Sequence, residues 1–463
     1  MPELTFLGAC GTVTGSRYLV AAHHTQILVD AGLFQGPKAL RRRNWDPFPA
    51  DPSTLEALVL THAHIDHTGY LPRLVRQGFR GPTYVTPPTR RLLQVVLPDA
   101  AHLQEEEASF ANKVGSSKHS PALPLFDTKD AREALATLQP RPFGEAFAIH
   151  PGLEVTFHRQ GHILGAAAVE LRIKESGGRY ATIYFSGDVG RYDVPILRPP
   201  EAYPGSDVLV VESTYGNRIH DPSDPRTQLA AVVRETIERR GVLLIPAFAI
   251  DRTQEILYFL RELISEGTIE PIPTFLDSPM AREATQVYRQ CVAEHDAEAR
   301  ELLREGVDPL APPNFTIVGK VSESKQLNGL QGPAIIISAS GMATGGRILH
   351  HLRHRLEDPA NTVLFVGYQA DGTRGRRLVE GEREIKIFGS MVPVRAKVRQ
   401  ISSLSAHADA DELTIWAGQA EKAPGIVYVT HGEPDARQAL ADRFSDRLGW
   451  SCRLPELEQT VAL

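Results

Sequence analysis

Short apolar runs closed by polar turn residues dominate the first 210 positions. Leu4–Leu7, Tyr18–Ala21, Ile27–Val29, Leu58–Leu60, Tyr84–Val85, Leu153–Phe157, Ala166–Leu171, Ala181–Phe185 and Val208–Val211 have the length and texture of strands. Helical spacing is sparser, around Leu71–Gln77, Arg90–Phe110 and Asp130–Leu138. This predicts β-rich α/β structure in which the polar residues of interest fall at strand ends.

From about Thr227 the pattern becomes a regular alternation. Helix Gln228–Arg240, strand Val242–Pro246, helix Thr253–Glu266, strand Pro273–Leu276, helix Ala281–Glu294, strand Ala334–Ser338, helix Arg347–Leu356 and strand Thr362–Val366 follow one another. Such alternation predicts a parallel sheet flanked by helices, a Rossmann-like unit. After Val394, short strands return at Val398–Ile401 and Ile426–Val429, around helix Ala410–Ala417. The layout predicts a first domain over 1–208, an inserted domain over 209–394, and completion of the first domain by 395–463.

Composition narrows the class. The 463 residues are 42% hydrophobic and 23% charged, as in a soluble globular chain of about two to four domains. Cys10, Cys291 and Cys452 are too far apart for a disulfide framework or a Cys-rich zinc site, which fits a reducing compartment. The first residues carry Glu3 where a signal peptide needs bases, and no window approaches the ~18 apolar residues of a membrane span. A cytoplasmic protein without a membrane partner is expected. The net charge of −6 argues against unaided, non-specific nucleic-acid binding but leaves room for a local basic groove.

The sharpest chemical signal is Leu60-Thr61-His62-Ala63-His64-Ile65-Asp66-His67-Thr68-Gly69, directly after a predicted strand. Zinc takes neutral imidazole and carboxylate donors at about 2.0–2.2 Å, and a tight strand-to-helix turn aims such side chains inward. Four donors within six residues cannot all close on one ion and leave room for chemistry, so further ligands should come from other strand ends. His162, Asp188 and His431 each follow an apolar strand and lie beside glycine. Taken singly, each reads more readily as a turn residue than as a ligand.

These residues, in this order, resemble the metallo-β-lactamase fold, with Asp30 in Val29-Asp30-Ala31-Gly32 matching its first motif and orienting ligands from behind them. Asp188 and His431 lie 243 positions apart, too far for a simple member and enough for the inserted unit. Further strings are similar to the β-CASP subgroup of nucleic-acid hydrolases: Glu212-Ser213-Thr214-Tyr215-Gly216, Pro246-Ala247-Phe248-Ala249-Ile250-Asp251-Arg252-Thr253-Gln254-Glu255, Asp277-Ser278-Pro279-Met280-Ala281, Ser338-Ala339-Ser340-Gly341-Met342, Gly367-Tyr368-Gln369-Ala370-Asp371-Gly372-Thr373 and Ser405-Ala406-His407-Ala408-Asp409. The resemblance implies a metallo-β-lactamase αββα sandwich with an inserted parallel α/β domain. In it Glu212, His407 and His431 occupy the three subgroup motifs, and a histidine at the last points to RNA rather than DNA.

The same resemblance assigns His62, His64, His162 and Asp188 to one zinc and Asp66, His67, Asp188 and His431 to a second, with Asp188 bridging. Two such ions lower the pKa of a shared water and hold a phosphodiester oxygen for in-line attack. Asp66 is counted with His407 and Glu212 in the catalytic group, His407 as the acid that protonates the leaving oxygen and Glu212 as its partner. The blander alternatives are that His407 opens helix Ala410–Ala417 and that Glu212 is a strand-end acid.

For substrate grip, the glycines and hydroxyls of Ser338, Ser340, Gly341, Gly345 and Gly346 stand before a helix, where phosphate contact is favoured. Between Asp371 and Arg399 there are eight bases and four acids, and Arg374, Arg376 and Arg377 are candidates for the RNA backbone. Arg41-Arg42-Arg43 is a weaker case, and His350–His354 reads as helix surface. The expectation is a ribonuclease with two Zn2+ per chain acting on single-stranded RNA, endonucleolytic with 5′ exonucleolytic trimming left open, and with room for a homodimer. Neither the KH module nor the further C-terminal domain that relatives often add is expected, with a strand starting at Leu4 and about 30 residues following His431. The alternatives are a thioester or lactam hydrolase of the same fold, disfavoured by the insertion and His407, and a non-catalytic RNA-binding subunit, disfavoured by the intact ligand set. A di-iron redox protein typically has Glu where this chain has His64.

Overall fold

The computed structural model describes residues 2–115, 117, 119–175 and 177–463. The chain divides into two compact units, one of residues 1–193, 199–219 and 407–463, the other of 194–198 and 220–406.

The first unit holds two seven-stranded sheets. One runs Thr460–Ala462, Glu3–Phe6, Tyr18–Ala22, Thr25–Val29, Leu55–Val59, Thr83–Val85, Leu138–Pro140. The other runs Cys452–Arg453, Ile426–Val429, Val208–Val211, Tyr180–Phe185, Ala167–Lys174, Leu153–Arg159, Phe147–His150. Their facing sides share one core: Phe6, Val20, Ile27 and Val29 from the first, and Phe157, Val169, Phe185 and Val210 from the second, are all 2% exposed or less. Burying each such side chain is worth about 1.5–3 kcal/mol. Because side chains alternate along a strand, the neighbours of these residues need a second layer. Leu209, Val211, Val427 and Val429 find it in Leu413 and Trp416 of helix Ala410–Gly418 and in Leu440 and Phe444 of helix Pro434–Leu448. On the first sheet Leu28 and Leu58 are likewise fully buried, and helices Leu71–Arg76 and Pro87–Val114 turn Leu74, Leu92, Val96 and Leu97 inward. The result is an αββα sandwich.

The second unit is built on one six-stranded sheet, all parallel, in the order Phe315–Ile317, Thr274–Leu276, Ala334–Ser338, Val242–Pro246, Thr362–Val366, Lys397–Ile401. Its middle strands are buried throughout, which explains their almost wholly apolar sequences, with only Ser338 and Thr362 polar at strand ends. Strand Lys397–Ile401, expected in the segment that completes the first domain, instead pairs in register with Thr362–Val366. Val208–Val211 lies wholly in the first unit's sheet, so, apart from the short excursion at 194–198, the chain leaves that unit after Ile219 rather than at 208, and returns to it at His407 rather than at 395. Among the described residues no helix is long and apolar enough to cross a membrane.

Candidate metal centre

Five strand ends of the first unit deliver the site. Strand Leu55–Val59 runs through Leu60 and Thr61 into His62 and His64, and the single helical turn Ile65–Thr68 carries Asp66 and His67. His162 follows Leu153–Arg159, Asp188 follows Tyr180–Phe185, Glu212 follows Val208–Val211, and His431 follows Ile426–Val429. The turn before Asp188 requires Gly187, whose φ is +56° and whose missing Cβ would lie 2.8 Å from the Ala167 carbonyl and 3.0 Å from the Thr61 Cβ.

Behind these donors stands Asp30. One carboxylate oxygen accepts from the Thr61 amide at 2.8 Å and from its hydroxyl at 3.0 Å, and the other lies 2.7 Å from His67 Nδ1. Thr61 Oγ1 is also 3.1 Å from His62 Nδ1. Both rings therefore have Nδ1 engaged and Nε2 left to face the site.

The donors fit cations. Ligands about 2.0–2.1 Å from a tetrahedral ion lie about 3.3 Å from one another. In the first cluster His64 Nδ1 is 3.0 Å from His62 Nε2 and 3.2 Å from His162 Nε2, and Asp188 Oδ2 is 3.4 and 3.5 Å from the same two nitrogens. In the second, His67 Nε2 is 3.1 Å from His431 Nε2 and 3.3 Å from Asp188 Oδ1, and Asp66 Oδ2 is 3.6 Å from His431 Nε2. Asp188 Oδ2 thus belongs with the first cluster, while Oδ1 faces the second, 3.3 Å from His67 Nε2 and 3.6 Å from His431 Nδ1, and is buried with no donor in hydrogen-bonding geometry. Burial and the neighbouring imidazoles hold His62 well below its ordinary pKa, and burial takes His64 down to about 4, so both are neutral ligands at pH 7. Burial alone would raise the Asp188 carboxyl, but His431, His67 and His62 hold it well below the usual range. His/Asp sets with this geometry are placed to bind metal.

Beside the clusters, His407 Nδ1 is 3.2 Å from both oxygens of Glu212. Glu212 is 1% exposed, and its carboxylate also accepts from the amides of Val189 (2.7 Å) and Thr214 (3.2 Å), so it is no surface acid. Nor does His407 cap the following helix. That role falls to Asp409, which accepts from the Asp411 and Glu412 amides while Glu412 returns a bond to the Asp409 amide. Burial by itself would lower His407; the Glu212 carboxylate outweighs it and lifts the imidazole to about 9. The ring of His407 lies 4.4 Å from that of His162. Sequence reasoning missed Thr214, whose hydroxyl is 3.2 Å from His431 Nδ1 and so turns Nε2 toward Asp66 and His67.

In the second unit the Ser338–Gly346 loop leads into helix Ile348–Arg355, as expected. Its parts are not equally free: Ser338 Oγ donates to the Asp277 carbonyl at 2.7 Å, and Ser340 Oγ meets Thr344 Oγ1 at 3.0 Å. Arg374 straps the loop through the carbonyls of Ala343, Thr344 and Lys386. Arg376 pairs with Glu380 and Arg377 with Glu382. The His350–His354 helix is not all surface, because His351 is 1% exposed with Nε2 2.6 Å from Asp277 Oδ2. Asp277 also accepts from Ser324 and Arg347, a buried ion cluster that spacing alone did not reveal.

A two-sheet sandwich with His/Asp clusters at its strand ends and a parallel α/β insertion defines a β-CASP metallo-hydrolase, and the chain belongs to that branch of the metallo-β-lactamase superfamily. Profiles for a beta-lactamase superfamily domain, a Beta-Casp domain and a Zn-dependent metallo-hydrolase RNA specificity domain match residues 25–243, 253–378 and 391–455. Ribonuclease TTHA0252 of Thermus thermophilus is 38% identical over 435 residues, 94% of each chain. Transcription termination factor FttA of Pyrococcus abyssi is 33% identical over all of this chain and 71% of its own length. The FttA of Methanosarcina mazei is 32% identical with the same coverage. A crystal structure of a protein of unknown function from Enterococcus faecalis V583 covers the whole chain at 13% identity with a TM-score of 0.57, a likeness of fold.

Proposed function

We propose that this protein is a zinc-dependent ribonuclease that hydrolyses phosphodiester bonds of single-stranded RNA in the cytoplasm, cutting internally to leave 3′-hydroxyl and 5′-phosphate ends. The observation that carries the reading is the pair of donor clusters approached by the two oxygens of Asp188, Oδ2 3.4 Å from His62 Nε2 and Oδ1 3.3 Å from His67 Nε2, with the His407–Glu212 pair beside them. His62, His64, His162 and Asp188 would hold one zinc, and Asp66, His67, Asp188 and His431 the other. Bound there, two such ions supply Lewis-acid activation of water and of a phosphodiester oxygen.

The chain's own residues do the rest. Asp30 and Thr61 orient His62 and His67 from behind, and Thr214 orients His431. Glu212 holds His407 by Nδ1, keeps it protonated at neutral pH and leaves Nε2 to give its proton to the departing ribose 3′-oxygen. In the inserted unit Ser340, Gly345 and Gly346 are the parts of the loop offered to phosphate, whereas Gly341 is buried against Phe248 and Gln369. Ser338 and Arg374 brace that loop, and Arg376 and Arg377 meet the RNA backbone by exchanging their glutamate partners.

The test incubates the purified protein with end-labelled single-stranded RNA, single-stranded DNA and a thioester, with and without chelator, and maps the ends. Chelator-sensitive scission of RNA alone is expected. Hydrolysis of the thioester alone would overturn the reading.

A further inference from the structure

Two large aromatic side chains in the inserted unit are left outside its core at one edge of the sheet. Phe248 follows strand Val242–Pro246 and is 45% exposed, and Tyr368 follows the neighbouring strand Thr362–Val366 and is 46% exposed. A shortage of core is not the reason, since Ile245, Ala247, Phe365 and Val366 on the same segments are at most 1% exposed. Leaving nearly half of each aromatic residue exposed forgoes part of the free energy of burying it, which marks the place as a contact surface.

The surroundings fix where these rings stand. The Ala247 amide donates to the Ser338 carbonyl at 3.2 Å, and the Phe248 carbonyl accepts from Thr253 Oγ1 at 2.7 Å. The ring of Phe248 lies along the backbone of Gly341, where an added Cβ would come within 3.1 Å of Cδ2 and 3.2 Å of Cε2. Gln369, next to Tyr368, donates from Nε2 to the Gly341 carbonyl at 3.3 Å and to the Tyr368 carbonyl at 3.1 Å. Gly341 therefore ties both aromatic-bearing loops to the glycine-rich segment. All three segments leave the carboxyl ends of parallel strands, the edge at which open α/β sheets take their ligands.

Every nucleobase has a π-face that stacks on an aromatic ring whatever its hydrogen-bonding edge, and only unpaired bases can present it. We propose that Phe248 and Tyr368 form a stacking platform for unpaired bases of RNA, so that the inserted unit selects single strands over duplexes without reading base identity. The proposal rests on the ribonuclease reading and adds to it the feature of the substrate that is recognised.

The experiment uses the full-length, metal-loaded protein and the variants Phe248→Ala, Phe248→Leu, Phe248→Trp and Tyr368→Ala. Steady-state cleavage gives KM and kcat on single-stranded RNA. Stopped-flow fluorescence follows a 2-aminopurine in the same RNA, whose emission falls on stacking, and thermal unfolding checks that each variant folds. Phe248→Ala and Tyr368→Ala should each raise KM about tenfold, the effect of losing one stacked base, with little change in kcat and a smaller fluorescence drop. Phe248→Leu, apolar but not aromatic, should behave like the alanine variant, and Phe248→Trp like the wild type. Folded variants that keep wild-type KM and full quenching, or a leucine variant as good as tryptophan, overturn the platform while leaving the ribonuclease reading intact. A wild-type protein that neither binds nor cuts RNA overturns both.

Discussion

Replacing His407 by alanine separates proton delivery from metal binding, because His407 is outside the clusters formed by His62, His64, His162, Asp66, His67, Asp188 and His431. The substitution removes a charged imidazole held 3.2 Å from both oxygens of Glu212, while that carboxylate keeps the Val189 and Thr214 amides as donors. The side chain is only 21% exposed, yet the change deletes no more than one small ring, so the fold is expected to survive. A positioned general acid contributes about 10²–10⁴-fold, which is about 2.7–5.5 kcal/mol of barrier at about 1.36 kcal/mol per decade. A fall of that size in single-turnover rate is therefore expected, with zinc content unchanged. The decisive assay runs two RNAs that differ only at the scissile position, one with the natural 3′-oxygen and one with a bridging 3′-sulfur. A thiolate leaves without a proton, so the variant should lose its activity on the oxygen substrate and keep most of it on the sulfur one. Equal losses on both substrates would refute the acid role.

Other consequences follow from the same geometry. Thr214→Val keeps shape but removes the acceptor 3.2 Å from His431 Nδ1, and contacts behind a ligand are worth about 10–100-fold in metal affinity; competition with a chromophoric chelator should show that weakening, and an unchanged affinity would mean the contact is idle. Asp277→Asn strips the charge from a fully buried carboxylate that faces Arg347 and His351, and breaking such a pair costs about 3–5 kcal/mol, read as a lower urea midpoint for the transition that includes the inserted unit. Burial alone would raise the Asp277 carboxyl, but the hydrogen bonds from His351, Ser324 and Arg347 hold it below the usual range. Its contribution to stability is accordingly complete above about pH 4, the unfolded value, and is lost as pH falls through the lower folded value. The asparagine variant should show a shallower acid loss than the wild type below that pH, and parallel profiles would contradict the assignment.

How much of this was legible in the sequence depended on range. Val208–Val211, Val242–Pro246, Ala334–Ser338, Thr362–Val366 and Ile426–Val429 form at their expected limits, because strands buried on both faces read as near-continuous apolar runs. The strands without a clear signal are short or at edges, such as Phe315–Ile317, Thr460–Ala462 and the hairpin Glu384–Ile387 with Ser390–Pro393. There the exposed positions dilute the pattern. The His62–His67 turn announces itself because its donors are contiguous. His162, Asp188 and His431 carry only a neighbouring glycine as local signal, and resemblance to a family was needed to join them. Thr214 and Asp277 lie in strings that the resemblance picked out, but their roles, like that of Thr61, were not legible, since each acquires its role from a partner 31 to 217 positions away. The expectation that Lys397–Ile401 belongs with the first domain fails for the same reason: its residues say strand, and only pairing says which sheet.

A two-ion centre shared by Asp188 stands or falls on transition metal per chain measured together with RNA cleavage, in the wild type and in Asp188→Ala, which lacks the carboxylate that faces both clusters. Such a centre predicts two zinc ions per wild-type chain, cleavage that disappears with their removal and returns on titration, and an inert Asp188→Ala protein with a reduced metal content. Wild-type protein free of transition metal that cuts RNA at full rate, or an Asp188→Ala variant that retains both ions and full activity, would contradict it.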